Sequence, residues 1–126
     1  MRKTSNNIKR RKKEFKMMNK VILVGRTVKE GDLRYTTTNG KAVYSNTLAV
    51  NRDYVQEGKE READFPQIVI WGKQAENFAN YVKKGDRVGV EGQLRTRNYE
   101  DQNGNKVYVT EVLVEKFTFL QDKRED

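Results

Sequence analysis

From Asn19 to Leu120 the chain alternates short apolar runs with clusters of Gly, Asn, Asp and Lys. Val21-Ile22-Leu23-Val24, closed by Gly25, is a continuous apolar run and predicts a strand buried on both faces. Leu33 to Thr37 is a short extended piece between polar turns, and Asn39-Gly40 predicts a hairpin turn because both residues tolerate positive φ. Val43 to Asn51 predicts a second strand with Tyr44, Leu48 and Val50 on one face. Asn46 falls among them, so if that face is core its amide needs partners. Lys73 to Lys84 has a different period. Ala75, Phe78, Ala79 and Val82 recur at i, i+3, i+4 and i+7 and predict a helix, with Gly85 as its C′ cap and Lys83 and Lys84 in a last turn that favours cations. Arg87 to Arg97 alternates, with Val88, Val90, Gly92 and Leu94 on one face and Glu91, Gln93, Arg95, Arg97 and Tyr99 on the other. Asn103-Gly104 predicts a second hairpin, and Val107 to Leu120 a long last strand that bends or carries a bulge.

The stretch Asp64 to Trp71 is apolar on both faces, with Phe65, Gln67, Val69 and Trp71 on one and Pro66, Ile68 and Ile70 on the other. Ile68 and Ile70 supply a core. The two aromatics opposite them form either a second packing surface or a platform for flat ligands. Pro66 removes a ladder donor, which places the start of the regular strand at or after it. Strand, strand, strand, helix, strand, strand is the order of an OB-fold: a mainly β, five-stranded Greek-key barrel with one helix between strands 3 and 4. Another small antiparallel α+β domain is the alternative that the pattern leaves open.

Composition narrows the chemistry. The 126 residues hold no Cys and no His, which removes disulfides, Cys-based metal sites and the usual Ser-His or Cys-His nucleophile pairs. No apolar run reaches the ~20 residues of a membrane-spanning helix, and the basic start lacks the apolar stretch of a secretory signal. A cytoplasmic protein with no membrane partner is expected. Of the +8 net charge, residues 1–17 carry eight Lys/Arg against Glu14, leaving 18 basic and 17 acidic residues in the rest. Residues 1–17 therefore read as a basic, disordered N-terminal arm, residues 18–120 as the folded domain and residues 121–126 as a short charged end. The arm has three readings: an extension from an upstream start, a nucleic-acid contact, or a membrane-surface segment. The nearly neutral body would bind a polyanion through a local patch.

Tyr54, Phe65, Trp71 and Tyr99 fall on outward faces or strand ends, interleaved with Arg34, Arg52, Lys73, Arg95 and Arg97. Binders of single strands need this pairing. Bases stack on aromatic rings at ~1–3 kcal/mol each, and cations neutralise phosphates and release counterions. Each aromatic taken singly also fits a barrel interior or a subunit contact. The carboxylates Glu57, Glu60, Glu62 and Asp64 read as a solvated loop in preference to a Mg²⁺ site, and Gly89 and Gly92 as barrel bends in preference to a phosphate loop. No metal, cofactor or catalytic residue is expected.

Several spaced motifs resemble the bacterial single-stranded DNA-binding proteins. They are residues 18–26 (Met18-Asn19-Lys20-Val21 onward), Leu33-Arg34-Tyr35, residues 47–52, residues 60–65, Trp71-Gly72-Lys73-Gln74-Ala75-Glu76, residues 81–85, Gly89-Val90-Glu91-Gly92, Arg95-Thr96-Arg97-Asn98-Tyr99 and Val109-Thr110-Glu111-Val112. The resemblance implies an OB-fold homotetramer that binds single-stranded DNA without sequence preference in replication, recombination and repair, in the nucleoid. It places base-stacking aromatics at Tyr54, Phe65, Trp71 and Tyr99. Basic contacts fall at Lys73, Arg95 and Arg97, and more loosely at Arg34, Tyr35, Arg52 and Lys84. An OB-type protein-docking module of the primosome kind and an RNA-binding protein are the alternatives.

This sequence departs from the family's pattern in three places. It ends Gln121-Asp122-Lys123-Arg124-Glu125-Asp126, lacking the Gly/Gln-rich tail and acidic, Phe-ended tip through which many members recruit replication and repair proteins. The basic arm is atypical. Asn46 stands where an apolar residue is expected, which predicts looser local packing.

Overall fold

The computed structural model describes residues 17–120. The basic arm up to residue 16 and the end 121–126 lie outside the described residues. The elements run β1 (Val21–Thr27), β2 (Asp32–Tyr35), β3 (Ala42–Asn51), β4 (Ala63–Asp64), β5 (Gln67–Trp71), α1 (Lys73–Tyr81), β6 (Arg87–Glu100) and β7 (Lys106–Phe119). Five of these strands close a barrel. β1 pairs with β6, β6 with β7, β7 with β5, β5 with β3, and β3 returns to β1 through Arg26 opposite Ala49 and Thr27 opposite Leu48. All pairings are antiparallel except β5 with β7. This is the expected mainly β, OB-like barrel, with the helix where the pattern put it. Two short strands add to the expected five: β2 extends the edge of β3, and β4 pairs β3 beyond β5.

β4 and β5 share one register, since Val43 lies opposite Trp71, Thr47 opposite Gln67 and Val50 opposite Asp64. The interruption between them contains Pro66, which has no N–H to donate. Its carbonyl still accepts from the Leu48 N–H at 3.0 Å. The regular strand thus resumes at Gln67, as the proline predicts.

Inward residues of alternate positions fill the barrel, among them Leu48, Ile68, Ile70, Val88 and Val90, all fully buried. α1 plugs one end with Ala75 and Phe78, also fully buried. The Phe78 ring lies 4.9 Å from both Tyr44 and Phe117. Gly92 sits at the β6 bulge, where an added Cβ would come within 1.9 Å of the Leu113 carbonyl oxygen; the tight barrel corner demands glycine there.

Four local expectations need correction. β1 is buried on one face only: Val21 and Leu23 pack on the core, while Ile22 is 65% and Val24 51% exposed. α1 stops at Tyr81, because Val82 is already extended with φ −98°, so Gly85 is not its cap and Lys83 and Lys84 lie beyond it. Val82 nonetheless completes the buried stripe. The Asn-Gly turns are longer than two residues, spanning 36–41 and 101–105, and only Gly40 and Gly104 in them take positive φ. Asn46 does not loosen its surroundings. It is buried, its Nδ2 donates to the Lys29 carbonyl at 2.9 Å and to the Tyr44 hydroxyl at 2.8 Å, and its Oδ1 accepts from the Thr47 N–H at 2.7 Å.

Candidate nucleic-acid interface

Outward residues of β2, β3, β5, β7 and β6 form continuous rows across one side of the barrel, because each strand turns every second side chain to that face. Register fixes the rows. Arg34, Val43 and Trp71 stand side by side; so do Asp32, Ser45, Val69 and Leu113; so do Thr47, Gln67, Glu111 and Arg95. Together with Arg97 they line an open cleft of about 590 Å³. Four residues singled out from the sequence therefore meet there: Arg34, Trp71, Arg95 and Arg97.

Trp71 ends β5 and is 41% exposed, so its indole offers a face while its base is held by the sheet. Gly72 follows with φ 76°, which turns the chain at once from strand into α1 and lets its N–H reach the Ala42 carbonyl at 2.8 Å. Lys73 is then the first residue of α1, at the positive end of the helix dipole. A cation is unfavourable there for the helix but adds to any attraction for an anion. Lys41, which follows the Asn39-Gly40 turn, is not among the sequence candidates. Its Nζ lies 5.7 Å from the Trp71 ring centroid, on a shallow extension bordered by Leu113 and Glu115.

The remaining candidates lie outside the cleft lining. Tyr99 is on the β6–β7 hairpin, 48% exposed, with the Arg97 guanidinium carbon 5.9 Å from its ring centroid. Phe65 is 62% exposed, on the same strand parity as Gln67, Val69 and Trp71 but beyond the proline break. Tyr54 is in the loop after β3, beside a smaller depression of about 260 Å³ that it shares with Arg52, Lys59 and Glu62. Tyr35, at the exposed end of β2, has the opposite parity to Arg34. Lys84 lies in the turn joining α1 to β6, where its N–H reaches Glu30.

The arginines differ in what they already hold. Arg52 donates from Nε and Nη2 to Asp64 and from Nη1 to Glu62 at 2.8–3.3 Å. The hydrogen bond from Arg52 holds the Asp64 carboxyl below its ordinary range, and the same bond raises the pKa of the guanidinium. Arg34 pairs with Asp32 at 2.6 Å on open surface. Arg97 donates from Nε to Oε1 of buried Glu111 at 2.7 Å. Among the described residues Lys73 and Arg95 form no salt bridge. Among the described residues no group of acidic side chains has the arrangement of a metal site; of the loop carboxylates, Glu62 and Asp64 pair with Arg52. No described helix is long and apolar enough to cross a membrane.

Comparison with known proteins gives this geometry a family. The chain is 62% identical over 107 residues to a single-stranded DNA-binding protein of Bacillus cereus, covering 85% of this chain and 62% of that one. It is 55% identical over 107 residues to single-stranded DNA-binding protein A of Bacillus subtilis, again covering 85% and 62%. The chain thus spans under two thirds of the length of these relatives. Among solved structures it resembles a Plasmodium falciparum SSB in complex with ssDNA, with a TM-score of 0.73 and 27% identity, over 85% of this chain and 98% of that one. The model of the single-strand binding protein family matches residues 18–120, which is the whole barrel, and to that family the chain belongs.

Proposed function

We propose that this protein binds single-stranded DNA without reading its sequence, and that it acts as a binder and not as an enzyme. The observation that carries the reading is the open cleft in which the half-exposed Trp71 ring stands among Arg34, Arg95 and Arg97. A flat face beside guanidinium groups suits a base and its phosphate, whatever the base: Arg95 forms no salt bridge among the described residues, and Arg97 is held by Nε alone. The Plasmodium falciparum relative of the same fold was solved with ssDNA, which supports the same ligand here. Tyr99 and Phe65 extend the stacking track to either side of the cleft, Tyr54 lengthens it over the loop, and Lys73 and Lys41 add cations beside Trp71. Arg52, Lys84 and Tyr35 are peripheral contributors. The basic arm adds a salt-sensitive share. The setting is DNA replication, recombination and repair in the cytoplasm, at the nucleoid.

Self-association belongs to the same reading. Ile22 and Val24 expose an apolar strip on the outer face of β1, beside Glu91 and Gly89 of β6, and a homotetramer would cover such a face.

Trp71→Ala tests the binding site. The substitution should weaken binding of labelled oligo-dT by roughly 1–3 kcal/mol, measured by anisotropy, with the melting midpoint little changed because the ring is not in the core. Unchanged affinity would remove Trp71 from the site. Parallel titration with oligo-U separates a DNA binder from an RNA binder.

A further inference from the structure

Two carboxylates are buried among the described residues, Asp86 and Glu111. Asp86 has a local task, since its Oδ2 accepts the Lys83 N–H at 2.8 Å in the turn before β6. Glu111 has no such backbone task. It stands in the cleft between Gln67 and Arg95, in a surface offered to a polyanion, where a negative charge opposes binding. Its partner explains it. Arg97, one row along on β6, donates Nε to Oε1 at 2.7 Å, and the pair is asymmetric: the Glu111 side chain is 9% exposed and that of Arg97 56%.

Engagement through Nε leaves both terminal guanidinium nitrogens without a hydrogen bond among the described residues. The other paired arginines are different. Arg52 has all three nitrogens occupied by Glu62 and Asp64. Arg34 also uses Nε, but its partner Asp32 is half exposed, and surface pairs of that kind fix little. Of these three, the Arg97 head group is the one both anchored by a buried acceptor and open at its outer edge, with the Tyr99 ring 5.9 Å away as a second support. A guanidinium held in place in advance binds a phosphate at a smaller ordering cost than a mobile one.

We infer that Glu111 is a positioning residue of the nucleic-acid interface: it holds Arg97 by Nε so that the two terminal nitrogens meet a backbone phosphate beside Tyr99. The inference rests on the reading of the cleft as a single-strand interface. It differs from a charge-competition view, in which Glu111 merely weakens binding.

The test is a double-mutant cycle on the full chain, reading oligo-dT affinity against salt. Arg97→Met should weaken binding about tenfold, as loss of a charge-assisted contact does. It should also reduce the slope of log affinity against log salt by about 0.7, one single-strand phosphate contact. Glu111→Ala should produce the same loss and the same slope change, and the double variant should be no worse than either. Glu111→Gln keeps an oxygen for Nε and should lose far less. Where Glu111→Ala fails to fold, Glu111→Asp serves: it keeps the charge and withdraws the acceptor, and should weaken binding in the native background but not in the Arg97→Met background. Tighter binding by Glu111→Ala or Glu111→Gln, or losses that multiply in the double variant, would overturn the inference while leaving the interface in place. Absence of binding by the unaltered chain would instead remove the interface itself.

Discussion

Tyr44 shows how one side chain ties the core to the binding face. Its ring packs on Phe78 at 4.9 Å, while its hydroxyl accepts from Asn46, the polar residue that interrupts the β3 core face. The reason Asn46 is tolerated is chemical: one donor meets two acceptors and its oxygen meets a backbone N–H, so burial leaves nothing unpaired. The sequence announced the need for partners but not their identity, because Lys29 lies in a loop 17 residues away. Burial raises the Tyr44 phenol above its ordinary value of 10.0, with the Asn46 bond opposing. The folded protein thus keeps the proton where the unfolded chain releases it. The resulting stability is fully present below pH 10.0 and falls as pH rises toward the folded value. Tyr44→Phe should lessen this alkaline loss, followed by urea midpoints across that range, and should lower stability at neutral pH by about 1 kcal/mol through the lost hydrogen bond. An unchanged alkaline limb would place the titration elsewhere.

At the scale of elements, periodicity was a good guide wherever one face met the core. The parity of β3 and β5 sorted inward from outward residues correctly, that of β6 did so as far as Gly92 but not at Leu94, which is 48% exposed past the bulge, and Pro66 marked the true start of β5. β1 misled because four consecutive apolar residues imply burial of both faces within one chain, whereas here Ile22 and Val24 face outward. The helix misled at its end for a related reason. Val82 satisfies the apolar stripe from an extended backbone, so periodicity continued past the last helical residue. Short β4 carries too few residues for any period to register, and β2 showed in the sequence only as the extended piece Leu33 to Thr37; both exist because β3, ten residues long, offers edge to each.

Whole-molecule features were legible in part. Element order pointed to the closed barrel, and placement pointed to the exposed aromatics. What a single sequence could not supply was register, and register puts Trp71 in one row with Arg34, across Val43, and sets Glu111 within reach of Arg97. Assembly lies at this scale too. The outward Ile22 and Val24 predict a mass in solution that is a multiple of the 14.8 kDa chain, and a monomer at micromolar concentration would leave that apolar face unexplained. The central claim, a stacking interface for single strands, has a built-in reporter, since Trp71 is the only tryptophan of the chain. Titrating the full chain with oligo-dT while following its fluorescence is the most direct test. Saturable quenching of Trp71 that weakens as salt rises is the result expected of base stacking combined with phosphate neutralisation. Emission that stays constant through an excess of oligo-dT would contradict the claim.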